Sequence, residues 1–541
     1  MSSLLKLRRG STVAHETFTG ADGEVTFNTD TNALVTHDGT TAGGFPHVKA
    51  SDLSAASGAA LVKYTPSGVG AQTKTVEYAL QEHVSVFDFM TEAEIAHVRN
   101  RTLTLDMTSK IRAAIAEAVA RGGVKVFLPY GSYRTTELIY LGSCGGITGE
   151  GNVRTGGSQF SMGGSSIYAD HAGSGVLSLK GSSHAVVSNL TLEARQFDAP
   201  KTGLILGRNT TASAGNHSIE KVTIRGNYKV SCIYSIASEE VRFSNVECWL
   251  YAESTGFACY YSAESDVFAI DSLVTSTNIA AYFYGCSFIN SPFDDADPLR
   301  SPSVVYLDAG GQTGSVIFNS CYLVPNAGAY ITINNVGSPG MDLLGPFMFM
   351  GVNGERLGES GDPSYGLRII SATALKLRGL VFIGSRFNFL AGTTKKAISI
   401  SNTIALYNPN VVINPEEAFE YATHDVNYNL IRGGVFSIGR EGHWKPLVLE
   451  GTWINPFGAP YQTAEYRVGP DGKVFMRGEI AGGSGHITTL PIEARPAATN
   501  RVRALSGTAI CLVSVNTLGV VNLVSGDGEN LDLSTINFCR N

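Results

Sequence analysis

Charge is scarce in this chain. Only 87 of its 541 residues are charged (40 Lys+Arg and 47 Asp+Glu), or 16%, where an average globular chain has about 25%. The small excess is acidic, a net charge of −7, which argues against a nucleic-acid surface. No apolar run approaches the roughly 18 residues of a membrane-spanning helix, so no membrane insertion is expected. The first ten residues, Met1 to Gly10, lack the apolar stretch of a secretory signal. The eight cysteines (Cys144, Cys232, Cys248, Cys259, Cys286, Cys321, Cys511 and Cys539) include no Cys-x-x-Cys pair. That removes zinc-ribbon and thioredoxin-like readings and leaves reduced thiols in a protein made in the cytoplasm.

Glycine is plentiful, with 61 residues, in a chain that is 43% hydrophobic. A large core is therefore expected and disorder is not. Short runs rich in Val, Ile, Thr, Tyr and Phe, punctuated by Gly, Asn, Asp and Ser, predict a mostly β chain. Residues 1–50 hold strand-like runs at 24–27 and 33–36 and turn signals at 28–32 and Asp38-Gly39, a small β domain with little core of its own. Residues 51–105 read as linker and neck, with a short helix over 76–83. A helix over 107–121 is capped by Asp106 or Thr108, presents Ile111, Ile115, Ala118 and Val119, and stops at Gly122-Gly123. Residues 106–440 carry a repeat. Residues 441–541 break it and read as a β-sandwich with a hairpin around Asp471-Gly472.

The repeat has two motifs. The first reads Val187-Ser-Asn-Leu190-Thr-Leu192, Ile219-Glu-Lys-Val222-Thr-Ile224, Phe243-Ser-Asn-Val246-Glu-Cys248 and Phe283-Tyr-Gly-Cys286-Ser-Phe288. It continues as Phe318-Asn-Ser-Cys321-Tyr-Leu323, Phe349-Met-Gly-Val352-Asn-Gly354 and Phe382-Ile-Gly-Ser385-Arg-Phe387. Its first positions (187, 219, 243, 283, 318, 349, 382) lie 24–40 apart by subtraction. The middle pair suits a tight bend. The second motif comprises 176–179, 204–206, 233–236, 268–270, 305–307, 331–333, 367–369 and 398–400. Two short strands recurring together define one coil of a solenoid whose coils share a single core. Two motifs rather than four argue against propeller blades, and a parallel β-helix is the expected fold. Cys286 and Cys321 fall in its inward column and read as core. His184 and His217 flank the motifs and read as turn residues.

In this order along one chain, three stretches resemble bacteriophage tailspikes. They are Leu7-Arg8-Arg9-Gly10-Ser11 through Thr36-His37-Asp38-Gly39 to Phe45-Pro46; Val84-Ser85-Val86-Phe87-Asp88-Phe89 with the helix and Val126-Phe127-Leu128-Pro129-Tyr130-Gly131; and Trp453-Ile454-Asn455-Pro456-Phe457-Gly458 with 466–478. Met90-Thr91-Glu92-Ala93 departs from the Gly-Asp-Gly usual in that family. The resemblance implies a right-handed parallel β-helix with an N-terminal virion-attachment domain and a C-terminal β-sandwich for trimerisation or carbohydrate binding. It also implies a homotrimer, attachment through the N-terminal domain to a phage tail, baseplate or another tailspike, and a place in the virion tail after synthesis in the host cytoplasm. The partner at the other end would be a bacterial surface polysaccharide, O-antigen or capsule, which the spike binds and cleaves with no cofactor and no metal.

Glycoside hydrolysis needs two carboxyl groups flanking one bond. The second motif gives an inward column of Leu179, Leu206, Ile236, Ile270, Leu307, Ile333, Ile369 and Ile400. The residue after each points outward, which places Asp271 and Asp308 on successive coils, about 4.8 Å apart. Carboxylates that close perturb each other's protonation, a route to one acid and one base; two solvated aspartates ending strands fit the same pattern. Partner carboxyls are expected from Glu264, Asp266, Asp294, Asp295 and Asp297. Trp249, Tyr251, Tyr260, Tyr261, Phe293 and Arg300 are expected to bind sugar, the aromatics through ring faces, though packing would also use them. The alternatives are a polysaccharide lyase, which needs a uronic acid substrate, and a non-catalytic adhesin.

Overall fold

The computed structural model describes residues 6–540 except 56, 153–163, 195–198, 208–214, 237–239, 264–265, 267, 271–279, 292–301, 310–314, 336–341, 358–362, 372–374, 389–395, 402, 414–422, 426–430, 433–434, 439–443, 457–462 and 469–471. The chain divides into two compact units, Met1–Val84 and Ser85–Asn541. In the first, Arg8–Gly10 runs parallel to Val25–Asn28, which forms a hairpin with Ala33–Thr36 and then Phe45–Pro46. The helix Thr12–Glu16 sits between the first two strands in sequence, with Ser11 accepting from the Ala14 N–H at its start.

The larger part of the second unit, up to Ile438, is a parallel β-helix. Each coil contributes one strand to each of three faces. Face 1 is a ten-stranded parallel sheet that includes Thr202–Gly207, Ser231–Ile236, Ala258–Ala263, Ser303–Ala309 and Ala329–Asn335. Faces 2 and 3 are the two limbs of one bent sheet. Val241–Ser244, Ala281–Tyr284 and Val316–Asn319 belong to face 2; Glu247–Leu250, Ser287–Asn290 and Tyr322–Pro325 belong to face 3. The corner between them is a single left-handed residue per coil: Asn189, Lys221, Asn245, Gly285, Ser320, Gly351 and Gly384, with φ between 51° and 61°. These are the third positions of the first sequence motif. Left-handed backbone costs an ordinary side chain roughly 1–2 kcal/mol, and Gly and Asn tolerate it best. Five of the seven corners use one of those two residues, which is why the middle of the motif looked like a bend.

The core is built of columns. Phe243, Phe283, Phe318, Phe349 and Phe382 stack at centroid separations of 4.4, 4.3, 5.5 and 5.7 Å, set by the strand spacing of ~4.8 Å. Cys286 and Cys321 are buried in the column beside them, as the sequence predicts. The helix Thr108–Ala120 closes the first coil. It buries Ile111, Ala114, Ile115 and Ala118 and touches one strand from each face, Lys125–Leu128, Gly131–Thr135 and Ile139–Tyr140. Before it, Thr91 and Glu94 form a reciprocal capping box on a helix Glu92–Arg99, at the point where the sequence departs from the family pattern.

From residue 445 the pattern becomes antiparallel. Lys445–Pro446, Glu465–Val468, Lys473–Arg477 and Asn537–Cys539 make one sheet, and a six-stranded sheet centred on Asn500–Ser506 and Ala509–Val515 makes the other. Trp453, Tyr466, Met476, Val513 and Phe538 belong to a shared core. Among the described residues no helix is long and apolar enough to cross a membrane.

Candidate functional site on the outer side of face 1

Strand register decides which side chains meet. On face 1, Leu206 pairs with Ser235, Ser235 with Ser262, and Ser262 with Leu307. The inward column therefore runs through Ser235 and Ser262, where Ile236 and Ile270 were expected. Ile236 faces outward, into a cluster with Tyr234, Phe257 and Tyr261. The strand of the fifth coil is Ala258–Ala263, not 268–270. The rung preceding Asp308 thus carries Ala263, so the adjacent-aspartate argument for Asp271 and Asp308 fails. Asp271 itself lies outside the described residues, as do Glu264, Phe293, Asp294, Asp295, Asp297 and Arg300.

Asp308 is on the outer side of face 1, 6% exposed. Its Oδ2 accepts from the Tyr261 hydroxyl at 2.6 Å and its Oδ1 from the Asn334 amide at 2.8 Å. Asn334 is its partner on the next rung. Both oxygens of the carboxyl are thus held in place. Asp266 repeats the arrangement one coil earlier: its Oδ1 accepts from the Tyr234 hydroxyl at 3.1 Å and from the Ile270 N–H at 2.7 Å. Tyr234 and Tyr261 are register partners, and their ring centroids lie 5.4 Å apart. Two tyrosines on neighbouring rungs thus each fix a carboxyl.

The tyrosines are packed, not open. Phe257 and Phe268 lie edge-on to Tyr261 at 4.9 and 6.0 Å, and Tyr306 adds a third rung at 5.8 Å. Lys201 donates to the Phe268 and Ala269 carbonyls, 2.6 and 3.2 Å away, and so holds residues 268 and 269. Tyr260 corrects the expectation of a sugar-binding ring. It points inward, fully buried, with Phe243 and Phe283 edge-on at 6.0 and 4.8 Å, and burial pushes its hydroxyl up to about 12.

Face 3 carries the other expected aromatics. Trp249 donates from its indole to Ser291 at 2.9 Å and lies edge-on to Tyr251 at 5.5 Å; both rings are half-buried. Its register neighbour Arg225 meets the buried Glu193 at 3.4 Å. Further along, Tyr322, Asn353 and Arg386 occupy one outward column around a carboxylate the sequence reading missed, Glu355. Tyr322 donates to it at 2.6 Å, and Arg386 lies 4.0 Å away. Burial, together with the Glu355 charge, pushes the Tyr322 hydroxyl up to about 12. The only trace of Glu355 in the sequence is its place just after the sixth copy of the first motif. The histidines are structural: His184 sits in left-handed backbone, and burial holds His217 down to about 4. No group of three metal-ligating side chains occurs among the described residues.

Residues 5–41 match the family model of the major tropism determinant N-terminal domain. Over 46 residues the chain is 56% identical to the tail fibre receptor-binding protein of Bordetella phage BPP-1, a match that takes in 8% of this chain and 12% of that relative. The chain resembles phage receptor-binding spikes. Among solved structures it is similar to the Dettilon tailspike protein (12% identity, TM-score 0.34, 86% of this chain and 94% of that chain). It is also similar to the tailspike of E. coli bacteriophage HK620 in complex with a hexasaccharide (14% identity, TM-score 0.31, 90% and 97%).

Proposed function

We propose that this protein is a trimeric phage tailspike that binds a bacterial surface polysaccharide and hydrolyses it with a carboxyl pair. The observation that carries the reading is Asp308, an outward carboxylate fixed on both oxygens by Tyr261 and Asn334. Fixing a carboxylate in this way orients it as a general base or nucleophile. Asp266, on the neighbouring tyrosine, is the first candidate for the acid. Asp271, Glu264, Asp294, Asp295 and Asp297 remain candidates for that role. The test is incubation with a panel of O-antigens and capsular polysaccharides. Shortened chains with new reducing ends are the expected result; a new ultraviolet chromophore would mean a lyase, and intact polymer would overturn cleavage.

A second reading, a non-catalytic adhesin, is favoured by the cover over Tyr261 and by the open network on face 3. Glu355 and Arg386 are 44% and 42% exposed there. A fixed carboxylate beside a guanidinium and a tyrosine suits sugar hydroxyls without any need for chemistry.

Support for trimerisation comes from face 2. Between residues 281 and 383 its outward positions are mostly apolar, with Tyr282, Ile317, Met348 and Val381 in one column and Tyr284, Asn319, Met350 and Ile383 in the next; Tyr284 and Ile383 are 43% and 40% exposed. A sheet face of that kind is a contact surface. Sedimentation at micromolar concentration is expected to give a trimer; a stable, active monomer would contradict it.

The N-terminal unit is read as the virion-side module. Deleting residues 1–50 should abolish incorporation into virions and leave cleavage intact. A large loss of cleavage in a deletion product that still assembles would sink this separation of roles.

A further inference from the structure

Both carboxyls of the proposed pair depend on one short turn, built from Asp266, Phe268, Ala269 and Ile270. The Ala269 N–H donates to the Asp266 carbonyl at 3.0 Å and closes the turn. The Ile270 N–H donates to Asp266 Oδ1 at 2.7 Å and, with the Tyr234 hydroxyl, orients the carboxyl. Phe268 lies against Phe257 and Tyr261 at 5.9 and 6.0 Å, and Tyr261 holds Asp308. The turn thus reaches Asp266 directly and Asp308 through one ring.

Two features of this turn need compensation. Ala269 has φ 46°, left-handed backbone that its Cβ disfavours. The carbonyls of Phe268 and Ala269 also converge on one nitrogen, Lys201 Nζ, at 2.6 and 3.2 Å. Carbonyl dipoles aimed at one point repel each other, and a positive charge between them replaces that repulsion with two charge-assisted hydrogen bonds. Lys201 is well anchored for the task. Its own N–H donates to the Gly173 carbonyl at 2.9 Å, and its carbonyl accepts from the Val230 N–H at 2.8 Å, which ties it to the coils before and after its own. Its side chain then reaches a turn that follows the face 1 strand two rungs on, Ala258–Ala263.

We infer that Lys201 is a positioning residue for hydrolysis: its ammonium holds the turn in its left-handed form and so sets Asp266 and Asp308 in their working places. This role rests on the hydrolytic reading of face 1. Lys201 acts through the turn and transfers no proton itself. Without the ammonium, Ala269 relaxes toward ordinary backbone, the Ile270 N–H leaves Asp266, and Phe268 leaves Tyr261. Lys201→Met keeps an unbranched apolar stem and removes the charge. Lys201→Arg restores a cation with several donors.

Hydrogen exchange and steady-state kinetics of the full-length protein test this. Peptides spanning Asp266 to Ile270 are expected to lose about tenfold or more in protection in Lys201→Met, the scale of a lost hydrogen bond to a charged group. Peptides around residues 241–250 are expected to keep theirs. Turnover of a susceptible polysaccharide is expected to fall about tenfold in kcat, with KM within about threefold of the wild type. Lys201→Arg is expected to recover most of both losses; a loss as complete as in Lys201→Met would mean that the charge is not what matters and would overturn the role. Unchanged exchange in Lys201→Met also overturns it. Looser exchange with normal kcat makes Lys201 a structural clip with no part in cleavage, and a change in KM alone places it in binding; either result sinks the inference. Failure of the hydrolytic reading shows separately, as a wild-type protein that leaves every polysaccharide intact, and the positioning role then falls with it whatever the exchange.

Discussion

Asp308→Asn is expected to lower polysaccharide turnover by roughly 10²-fold or more, the range of general acid–base contributions, with folding and saccharide binding retained. The fold should survive because the site can rewire. Asn has one acceptor oxygen where Asp has two. If that oxygen stays toward the Asn334 amide, the new NH₂ faces Tyr261, whose hydroxyl can accept as well as donate. The substitution thus removes the base while keeping a hydrogen bond to each of the two neighbours. Tyr261→Phe provides the companion measurement. It keeps the ring against Phe257, Phe268 and Tyr306 and removes only the 2.6 Å bond to the carboxylate. A drop in kcat with a shifted pH profile and little change in KM would mark Tyr261 as a positioning residue. If Asp308→Asn turns over normally, the outer side of face 1 is not the catalytic site. The search then moves to Asp266, to Glu355 on face 3, and to Asp271, Glu264, Asp294, Asp295 and Asp297.

The corners and the phenylalanine column were legible in the sequence because each rests on a strong local constraint. A left-handed corner selects Gly or Asn, and a core repeat selects large apolar residues at a fixed place in every coil. Face 1 was harder. The strand Ala258–Ala263 reads Ala-Cys-Tyr-Tyr-Ser-Ala, without the β-branched residues that mark a strand. Its inward positions are Tyr260 and Ser262. Its outward side is also covered, by Phe257 and Phe268, so alternation no longer separates inside from outside. The apolar run at 268–270 then looked like the better strand, and the column slipped onto Asp271. Glu193, Arg225 and Glu355 were missed because they matter through register, which a sequence read one coil at a time does not reveal. The capping box at Thr91 and Glu94, by contrast, has a plain Thr-x-x-Glu signature.

Phe283→Ala is expected to destabilise the β-helix by about 3–5 kcal/mol, the range for truncating a buried phenylalanine. Phe283 has no exposed surface. It is stacked on Phe243 and Phe318 at 4.4 and 4.3 Å and is met edge-on by Tyr260 and Phe288 at 4.8 and 5.7 Å. It therefore joins three consecutive coils of faces 1, 2 and 3. Collapse into the vacated space is hindered, because the neighbouring rings are held at strand spacing by the ladders on either side. In a solenoid each coil is stabilised only by its neighbours, so a weak rung in the middle divides the stack. The loss should appear as a faster unfolding rate in denaturant, the appropriate measure for a large protein that need not refold reversibly. Arg242→Ala is the matched control. Arg242 lies on the same face, one residue from Phe243, but points outward and is exposed, and its removal should change stability by no more than about 0.5 kcal/mol. Indistinguishable unfolding of the two variants would mean that the aromatic column is not what holds the coils together.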